Sequence, residues 1–349
     1  MDPAALAAYG WGDRWVALLA EHPDCTPARV VRHDGSALLL ATPDGVVAAP
    51  FDRGLDPTPA VGDWLACAGG RPVAVLPRSS FLRRRAAGSD TEQAIAANVD
   101  AVLLVCGLDR PVKPGRVQRG TVLAWDAGAE PIVVLTKAAA AGDDDEVDVD
   151  AEVAAVEEAC PGIDVLVTSV LEGIGLEELR AATGGRTVTM LGESGAGKSS
   201  LVNALVGTDA VATQSVRNDG KGRHTTSARE LHPLPGGGVL IDTPGTRELG
   251  LWVDPDAVAA TFTDIDDLAP GCRFRNCRHD AEPGCAVRQA VDAGELAPER
   301  LDAWHSLQRE AEAAALRAQP QELRRANRRF GRIAKEAKEA KEAAQDKRR

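Results

Sequence analysis

The stretch that decides the fold is Gly192-Glu-Ser-Gly-Ala-Gly197-Lys198-Ser199, just past the middle of a chain of 349 residues. It follows the apolar run TVTML and precedes SLVNALVG, whose apolar spacing is typical of a helix. A strand, a glycine-rich loop ending in Gly-Lys-Ser and a helix form the signature of a phosphate-binding loop. The glycines let backbone N–H groups turn inward around phosphate oxygens. The sequence therefore predicts an α/β domain that binds a nucleotide.

Each residue type in this loop has an expected task. The Lys198 ammonium is expected to neutralise the β- and γ-phosphates, and the Ser199 hydroxyl is expected to ligate Mg²⁺. The other loop residues are expected to surround the phosphates with backbone groups. The predicted nucleotide-binding residues of the loop are Gly192, Glu193, Ser194, Gly195, Ala196, Gly197, Lys198, Ser199 and Ser200.

Two segments after the loop complete the predicted triphosphate site. Asp242 and Gly245 lie in Asp-Thr-Pro-Gly, after the strand-like run GVLID, where a carboxylate can reach Mg²⁺ and a glycine N–H can contact a γ-phosphate. Between this box and the loop lies Gly222-Arg-His224-Thr225-Thr226, which we interpret as a switch segment. The Thr226 hydroxyl is expected to make a second contact with Mg²⁺. An ordinary polar loop is the alternative interpretation.

The catalytic prediction rests on a residue that differs from many GTPases. Those enzymes carry a water-orienting glutamine after Asp-x-x-Gly, whereas this chain has Thr246, whose side chain is too short to replace it. We therefore expect slow intrinsic hydrolysis. His224 is the candidate that positions the attacking water, with Thr225 and Thr226 beside it. A histidine that packs within the loop or contacts RNA is the alternative.

The order of the boxes is unusual. GTPases of the translational type place the guanine-reading Asn/Thr-Lys-x-Asp box and a Ser-Ala-like box after the phosphate loop. Here the corresponding segments, Leu135-Thr136-Lys137 and Thr168-Ser169-Val170, precede it. Because the two ends of a domain often lie close together, the sheet can close in either order. The sequence therefore predicts a circularly permuted domain in which Thr136 and Lys137 bind the nucleotide.

The N-terminal part has a different pattern. From about residue 28 to 85, short apolar runs are separated by turns such as Asp34-Gly35 and Asp44-Gly45, which indicates a small antiparallel barrel or sandwich. Basic residues collect at its end, at Arg78 and in Arg83-Arg84-Arg85. A solvated linker and a nucleic-acid contact are both open interpretations of them.

A cysteine-rich segment follows the nucleotide boxes. Its spacing is Cys272-x4-Cys277-x-His279-x5-Cys285, in a stretch too polar to be core. Three thiols and one imidazole at short spacing suit tetrahedral zinc. Because four protein ligands leave no open coordination position, we expect one structural Zn²⁺.

Composition restricts the class of protein. The chain is 44% hydrophobic and 26% charged, as expected of a globular protein, and no apolar run approaches the ~18–20 residues of a membrane span. Seven cysteines are an odd number, which favours reduced thiols over a disulfide framework. We therefore expect a cytoplasmic protein with no membrane partner. The isolated cysteines, expected to be small core residues, are Cys25, Cys67, Cys106 and Cys160.

Charge is unevenly distributed. The net charge of −12 argues against a protein that coats nucleic acid nonspecifically. Residues 321–349 nevertheless contain eleven basic and five acidic side chains, a net charge of +6. This tail is expected to be either a solvated segment or a helix that contacts RNA.

Together these features resemble the family of GTPases that depend on the small ribosomal subunit, called ribosome small subunit GTPase A. The resemblance runs from about residue 28 to about 330 and rests on the permuted boxes, GESGAGKSS, GRHTT, DTPG followed by RELGLW (247–252), and the zinc spacing. It implies hydrolysis of GTP to GDP with Mg²⁺, stimulated by the small (30S) subunit during late maturation of that subunit. The implied partners are the 30S subunit and its 16S rRNA, and we expect a monomer.

The resemblance also implies the domain organisation. It predicts a multidomain α/β protein with an OB-fold barrel, a circularly permuted P-loop GTPase domain and a C-terminal zinc-binding helical domain. The predicted boundaries are 1–27 for an N-terminal extension, 28–86 for the OB-fold, 87–252 for the GTPase domain, 253–320 for the zinc-binding and helical domain, and 321–349 for a basic helical or disordered tail.

One position departs from the family pattern. The family's Thr/Asn-Lys-x-Asp box ends in an Asp that accepts hydrogen bonds from guanine, but this chain has Ala139. The loss of such a group weakens discrimination against adenine by roughly 1–3 kcal/mol. A neighbour such as Asp143, or the backbone with Lys137 stacking, could select guanine instead. Two alternatives stay open: a P-loop NTPase of relaxed base selectivity, and a nucleotide-gated RNA-binding scaffold.

Overall fold

The computed structural model describes residues 3–35, 37–50, 54–85, 92–139, 147–207, 229–243 and 255–318. Its strands are β1 (Thr26–His33), β2 (Ala37–Thr42), β3 (Gly45–Pro50), β4 (Trp64–Ala68), β5 (Arg71–Val75), β6 (Phe81–Arg85), β7 (Glu92–Ala97), β8 (Ala101–Gly107), β9 (Glu130–Thr136), β10 (Asp164–Val167), β11 (Thr187–Gly192), β12 (Glu230–Pro233) and β13 (Val239–Asp242). Its α-helices are α1 (Asp13–Leu19), α2 (Pro114–Asp126), α3 (Val149–Ala159), α4 (Leu176–Thr183), α5 (Lys198–Val206), α6 (Pro255–Thr261), α7 (Thr263–Leu268), α8 (Ala286–Asp292) and α9 (Pro298–Ala318).

The half of the protein that contains the Gly-Lys-Ser loop is built on a parallel sheet. Its strands lie in the order β10-β9-β8-β11-β13, all parallel, and β12 pairs antiparallel with β13. Strand β11, which ends at the phosphate loop, is central, although β8, β9 and β10 precede it in the chain. The strands that follow it in the chain lie on its other side. The predicted mixed α/β fold is confirmed. Strand β11 lies between strands that precede it and strands that follow it in the chain, as the permuted order of the boxes requires.

Both faces of this sheet are buried. Successive residues of β8 point to opposite faces, so that Val102 and Leu104 join one apolar cluster while Leu103 and Val105 join another. The first cluster includes side chains of α2 and α3, and the second includes side chains of α4 and α5. The unbroken apolar runs of the sequence are therefore strands covered by helices on both sides.

The N-terminal strands are antiparallel. Strand β1 pairs with β2 and β4, β2 pairs with β3, and β4 pairs with β5. A further pairing, of Arg32 with Glu230, joins β1 to β12, so that eleven of the described strands form one sheet. The segment before β1 is folded onto these strands, because Leu6 is buried and the rings of Trp11 and Trp64 lie 4.8 Å apart.

A buried arginine reinforces the junction between the two halves. Arg29 of β1 is only 1% exposed, and its guanidinium donates to two backbone carbonyl oxygens and, at 2.9 Å, to Thr187 Oγ1. Burial lowers the pKa of Arg29 to about 10, although Asp100 and Asp63 oppose the shift, so the side chain stays charged at neutral pH. Thr187 is the first residue of β11, and the N-terminal strands therefore contact the strand that leads to the phosphate loop.

The basic run after the N-terminal strands is not a linker. Arg83-Arg84-Arg85 lies in β6, which forms a two-stranded sheet with β7. The Arg83 Nε lies 3.4 Å from Asp126 Oδ2 at the end of α2. The side chain of Arg83 therefore has a structural contact within the protein.

The C-terminal helices pack on the half that contains the parallel sheet. Helix α6 contacts α2, and α9 contacts α6. The buried Arg300 of α9 binds both carboxylate oxygens of Asp264, at 2.5 and 2.7 Å, and donates to the Ala159 carbonyl oxygen at 2.5 Å. It thereby joins α9 to α7 and to the end of α3. Within the described ranges, no helix combines the length and the apolar character that a membrane crossing requires.

Candidate nucleotide and metal sites

The phosphate loop lies between β11 and α5, as its sequence predicts. Gly195 and Gly197 have φ values of 82° and 92°, a region that glycine adopts without strain. At Gly192 a Cβ would lie 2.3 Å from the Val105 carbonyl oxygen, so a side chain there would collide with β8. Backbone geometry therefore explains why each of these three positions of the motif is a glycine.

Lys198 is held inside this loop. Its Nζ donates to the carbonyl oxygens of Gly192 and Glu193, at 2.6 and 2.5 Å. Partial burial lowers the pKa of Lys198, and the negative charges of Asp242 and Glu193 oppose that shift. The ammonium is thus fixed at the loop, where a phosphate would complete its set of hydrogen-bond partners.

Asp242 stands beside the loop at the end of β13. The Thr243 hydroxyl donates to the Met190 carbonyl oxygen at 2.8 Å, and the Thr189 hydroxyl donates to the Ile241 carbonyl oxygen at 2.9 Å. These side-chain bonds join β13 to β11. Partial burial raises the pKa of Asp242, while His232 and Lys198 lower it. A cation such as Mg²⁺ would favour the charged carboxylate further.

The predicted base-binding segments meet the loop at the carboxyl ends of the parallel strands. The Thr136 hydroxyl donates to the Ala196 carbonyl oxygen at 2.6 Å, which fixes the end of β9 to the phosphate loop. The segment after β10 is bonded to the same region, because the Ala138 N–H donates to the Thr168 carbonyl oxygen at 3.1 Å. Segments that precede the loop by more than twenty residues are thereby brought against it.

Three side chains near the loop, Arg110, Arg116 and Asp109, were not singled out by the sequence. Glu193 lies 3.3 Å from Arg110 and also pairs with Arg116, so its carboxylate links the loop to the start of α2. The Lys137 Nζ donates to Asp109 at 2.8 Å. The sequence feature that could have identified Asp109 is a carboxylate shortly after the buried strand β8. Ala139 is half-buried in the turn after β9.

Several predicted residues lie outside the described ranges. They are His224, Thr225, Thr226 and Gly245, together with Thr246 and Asp143. The catalytic histidine, the switch contact with Mg²⁺ and the γ-phosphate contact stay predictions. Ser199 is the second residue of α5 and is exposed to solvent.

The four predicted zinc ligands come together. Their ligand atoms all lie within 4.8 Å of one another. The His279 Nδ1 lies 3.4 Å from Cys285 Sγ and 3.6 Å from Cys272 Sγ, and the two sulfurs lie 3.9 Å apart. A tetrahedron with zinc–sulfur bonds of about 2.3 Å has sulfur–sulfur edges of about 3.8 Å. The four side chains, including Cys277, can therefore hold one tetrahedral metal ion.

Three of the four cysteines outside this cluster should resist alkylation. Burial raises the pKa of Cys67, Cys106 and Cys160 to about 11 in each case. At pH 8 such thiols are about one thousandth thiolate, against about a quarter for an unperturbed thiol. We expect iodoacetamide to modify them only after unfolding, as mapped by mass spectrometry. Rapid modification of Cys160 in the native protein would contradict its position in the core.

The fold and the loop define a class of protein. A parallel sheet with a central Gly-Lys-Ser loop, and predicted base-binding segments that precede it in the chain, defines a circularly permuted P-loop domain. It is similar to the solved structure of YjeQ from Thermotoga maritima, with a TM-score of 0.61 and 27% identity over 82% of this chain and 98% of that one. It also shares the fold of YloQ, described as a circularly permuted GTPase, with a TM-score of 0.58 and 23% identity over 84% and 96% of the two chains.

Sequence comparison gives the particular family. The RsgA GTPase family model matches residues 75–252. A Streptomyces coelicolor protein named small ribosomal subunit biogenesis GTPase RsgA is 43% identical over 347 residues, which are 95% of this chain and 94% of that one. A Xanthomonas axonopodis pv. citri protein of the same name is 44% identical over 86% of this chain and 85% of its own length. The chain belongs to the RsgA GTPase family and is a GTP-hydrolysing enzyme, as its sequence predicts.

Proposed function

We propose that this GTPase acts in late maturation of the small (30S) ribosomal subunit and is stimulated by that subunit. The observation that carries the proposal is 43% identity over almost the whole chain to a relative named for small-subunit biogenesis. A phosphate loop with Lys198 fixed in place supports the hydrolytic part. The 16S rRNA of the subunit is the proposed contact, and the basic tail at residues 321–349 is one candidate surface for it.

The proposed chemistry uses the loop and the ends of its neighbouring strands. Lys198 would hold the β- and γ-phosphates, while Ser199 and Asp242 would hold the Mg²⁺ that stabilises charge during hydrolysis. His224, Thr225, Thr226 and Gly245 are proposed to complete the site from the switch segments. Thr136 and Lys137 would position the base end of the nucleotide.

The modules around the GTPase domain have proposed identities as well. The antiparallel strands β1–β5 are the proposed OB-fold, within the boundaries 28–86. For the cluster at residues 272–285 we propose a structural Zn²⁺, since three thiols and an imidazole at tetrahedral spacing favour zinc over harder cations. A cytoplasmic monomer is the proposed state of the protein.

The ribosomal role is tested by hydrolysis with purified subunits. We expect 30S subunits to raise the rate of GTP hydrolysis at least about tenfold, because a bound partner can order catalytic segments that are slow on their own. Large subunits at the same concentration serve as the control. An equal rate with and without 30S subunits would refute the ribosomal part of the proposal and leave the GTPase intact.

Ala139 favours a second candidate, an NTPase of relaxed base selectivity. If the missing carboxylate limits selectivity, Ala139→Asp should raise the ratio of GDP to ADP affinity by about tenfold, the value of one matched polar group. Titration of both nucleotides measures the ratio, and Ala138→Asp is the neighbouring control. A wild-type protein that already rejects ADP strongly, and gains nothing from the change, would show that another group selects guanine.

A further inference from the structure

Asp109 forms an ion pair beside the proposed base site. It follows β8, and Lys137 follows β9. Because these strands are adjacent and parallel, both residues lie at the same edge of the sheet. The Lys137 Nζ and Asp109 Oδ2 are 2.8 Å apart. Partial burial raises the pKa of Asp109, but the hydrogen bond and charge of Lys137 outweigh burial and keep that pKa below its usual value.

The pair lies against the phosphate loop. A Cβ built on Gly107 would be 2.6 Å from Asp109 Oδ1, and 3.5 Å from both Lys137 Cε and Ala196 Cα. Gly107 thus leaves the space in which the two side chains meet next to the loop. The hydrogen bond from Thr136 to Ala196 fixes the backbone at the other end of the lysine. The methylene stem of Lys137 is therefore held at both ends.

We propose that Asp109 is a positioning residue for nucleotide binding, which holds the Lys137 stem beside the phosphate loop as an apolar platform for the base. The inference rests on the proposed nucleotide site. A lysine side chain that is fixed before binding loses less conformational entropy when the nucleotide arrives. The platform carries more of the base affinity in this chain because Ala139 offers the base no carboxylate.

The platform contacts the face of the ring and not its hydrogen-bonding edge. It therefore serves guanine and adenine alike. A carboxylate that read guanine directly would instead affect GDP alone, because the guanine edge donates where the adenine edge does not. This difference separates a positioning role from direct recognition.

The test compares three ligands on matched variants. Affinities for GDP, ADP and inorganic tripolyphosphate are measured with Mg²⁺ on the full chain. Asp109→Ala is expected to lower the affinities for GDP and ADP by a similar factor of about fivefold, which is the upper range for a partly exposed ion pair. The affinity for tripolyphosphate should not change. Asp109→Glu should restore most of the affinity. Glu177→Ala, which removes an exposed pair with Arg180 on α4, should change none of the three.

Three results would overturn the proposal. Unchanged GDP and ADP affinity would show that Lys137 needs no partner. An equal loss for tripolyphosphate would place the effect in the phosphate loop. A loss for GDP alone would make Asp109 a reader of guanine. If the wild-type protein bound none of the three ligands, the nucleotide site itself would be refuted, which is distinct from the other outcomes.

Discussion

Lys198→Ala is expected to lower the affinity for GTP and GDP about a hundredfold and to abolish measurable hydrolysis. The Nζ of Lys198 is held at 2.6 and 2.5 Å from two loop carbonyl oxygens, so it reaches the phosphates without reorganisation. Charge-assisted hydrogen bonds contribute about 1.5–3 kcal/mol each. The loss of two such bonds to phosphate therefore lowers the affinity by about a hundredfold or more. Titration with fluorescent GDP measures the affinity directly.

Two controls define the result. Lys198→Arg keeps the charge but not the compact ammonium, and it should bind nucleotide less well than the wild type. Arg71→Ala removes an exposed cation on β5, remote from the loop, and should have no effect. The melting temperature of Lys198→Ala should stay near that of the wild type, because removing a partly desolvated charge offsets the two lost bonds. Full nucleotide affinity in this variant would refute the phosphate-loop interpretation.

Removal of one thiol from the metal cluster should have the largest effect on stability. Cys285 is 3% exposed, and its sulfur also accepts a hydrogen bond from the Arg288 N–H at the start of α8. Cys285→Ser is expected to reduce the bound zinc well below one ion per chain and to lower the free energy of unfolding by about 3 kcal/mol or more. Elemental analysis and thermal unfolding measure the two effects.

The matched control is a thiol outside the cluster. Cys25→Ser changes a half-buried cysteine before β1 and should retain one zinc ion per chain. A chelator should shift the melting temperature of the wild type and of this control, but not that of Cys285→Ser. Wild-type protein that contained no metal, and did not respond to zinc, would contradict the proposed site.

The parts predictable from sequence were those whose chemistry is local. The loop around Lys198 and the cluster from Cys272 to Cys285 each require fixed residue types at short spacing, so the pattern alone predicts the geometry. The strands of the parallel sheet were predictable for a similar reason, because burial on both faces produces unbroken apolar runs.

The parts that escaped prediction depend on distant partners. Arg29 stands in a strand-like run where an arginine would be expected to face solvent, yet its partner Thr187 is 158 residues away. Asp109 becomes notable only when β8 and β9 are known to be neighbours. The basic run at residues 83–85 was ambiguous because charge alone does not distinguish a linker from a strand, and the partner of Arg83, Asp126, is 43 residues away.

The pairing of β1 with β12 has a consequence for how this protein can be divided into parts. A permuted domain that began at residue 87 would leave the outer backbone edge of β12 open to solvent, and open strand edges pair with other molecules. It would also leave the Thr187 hydroxyl without the arginine that now covers it. The N-terminal strands therefore cover the edge of the sheet at which β12 lies. A gene fragment that encodes the GTPase domain alone should give an aggregating product, whereas the two halves produced together could reassemble.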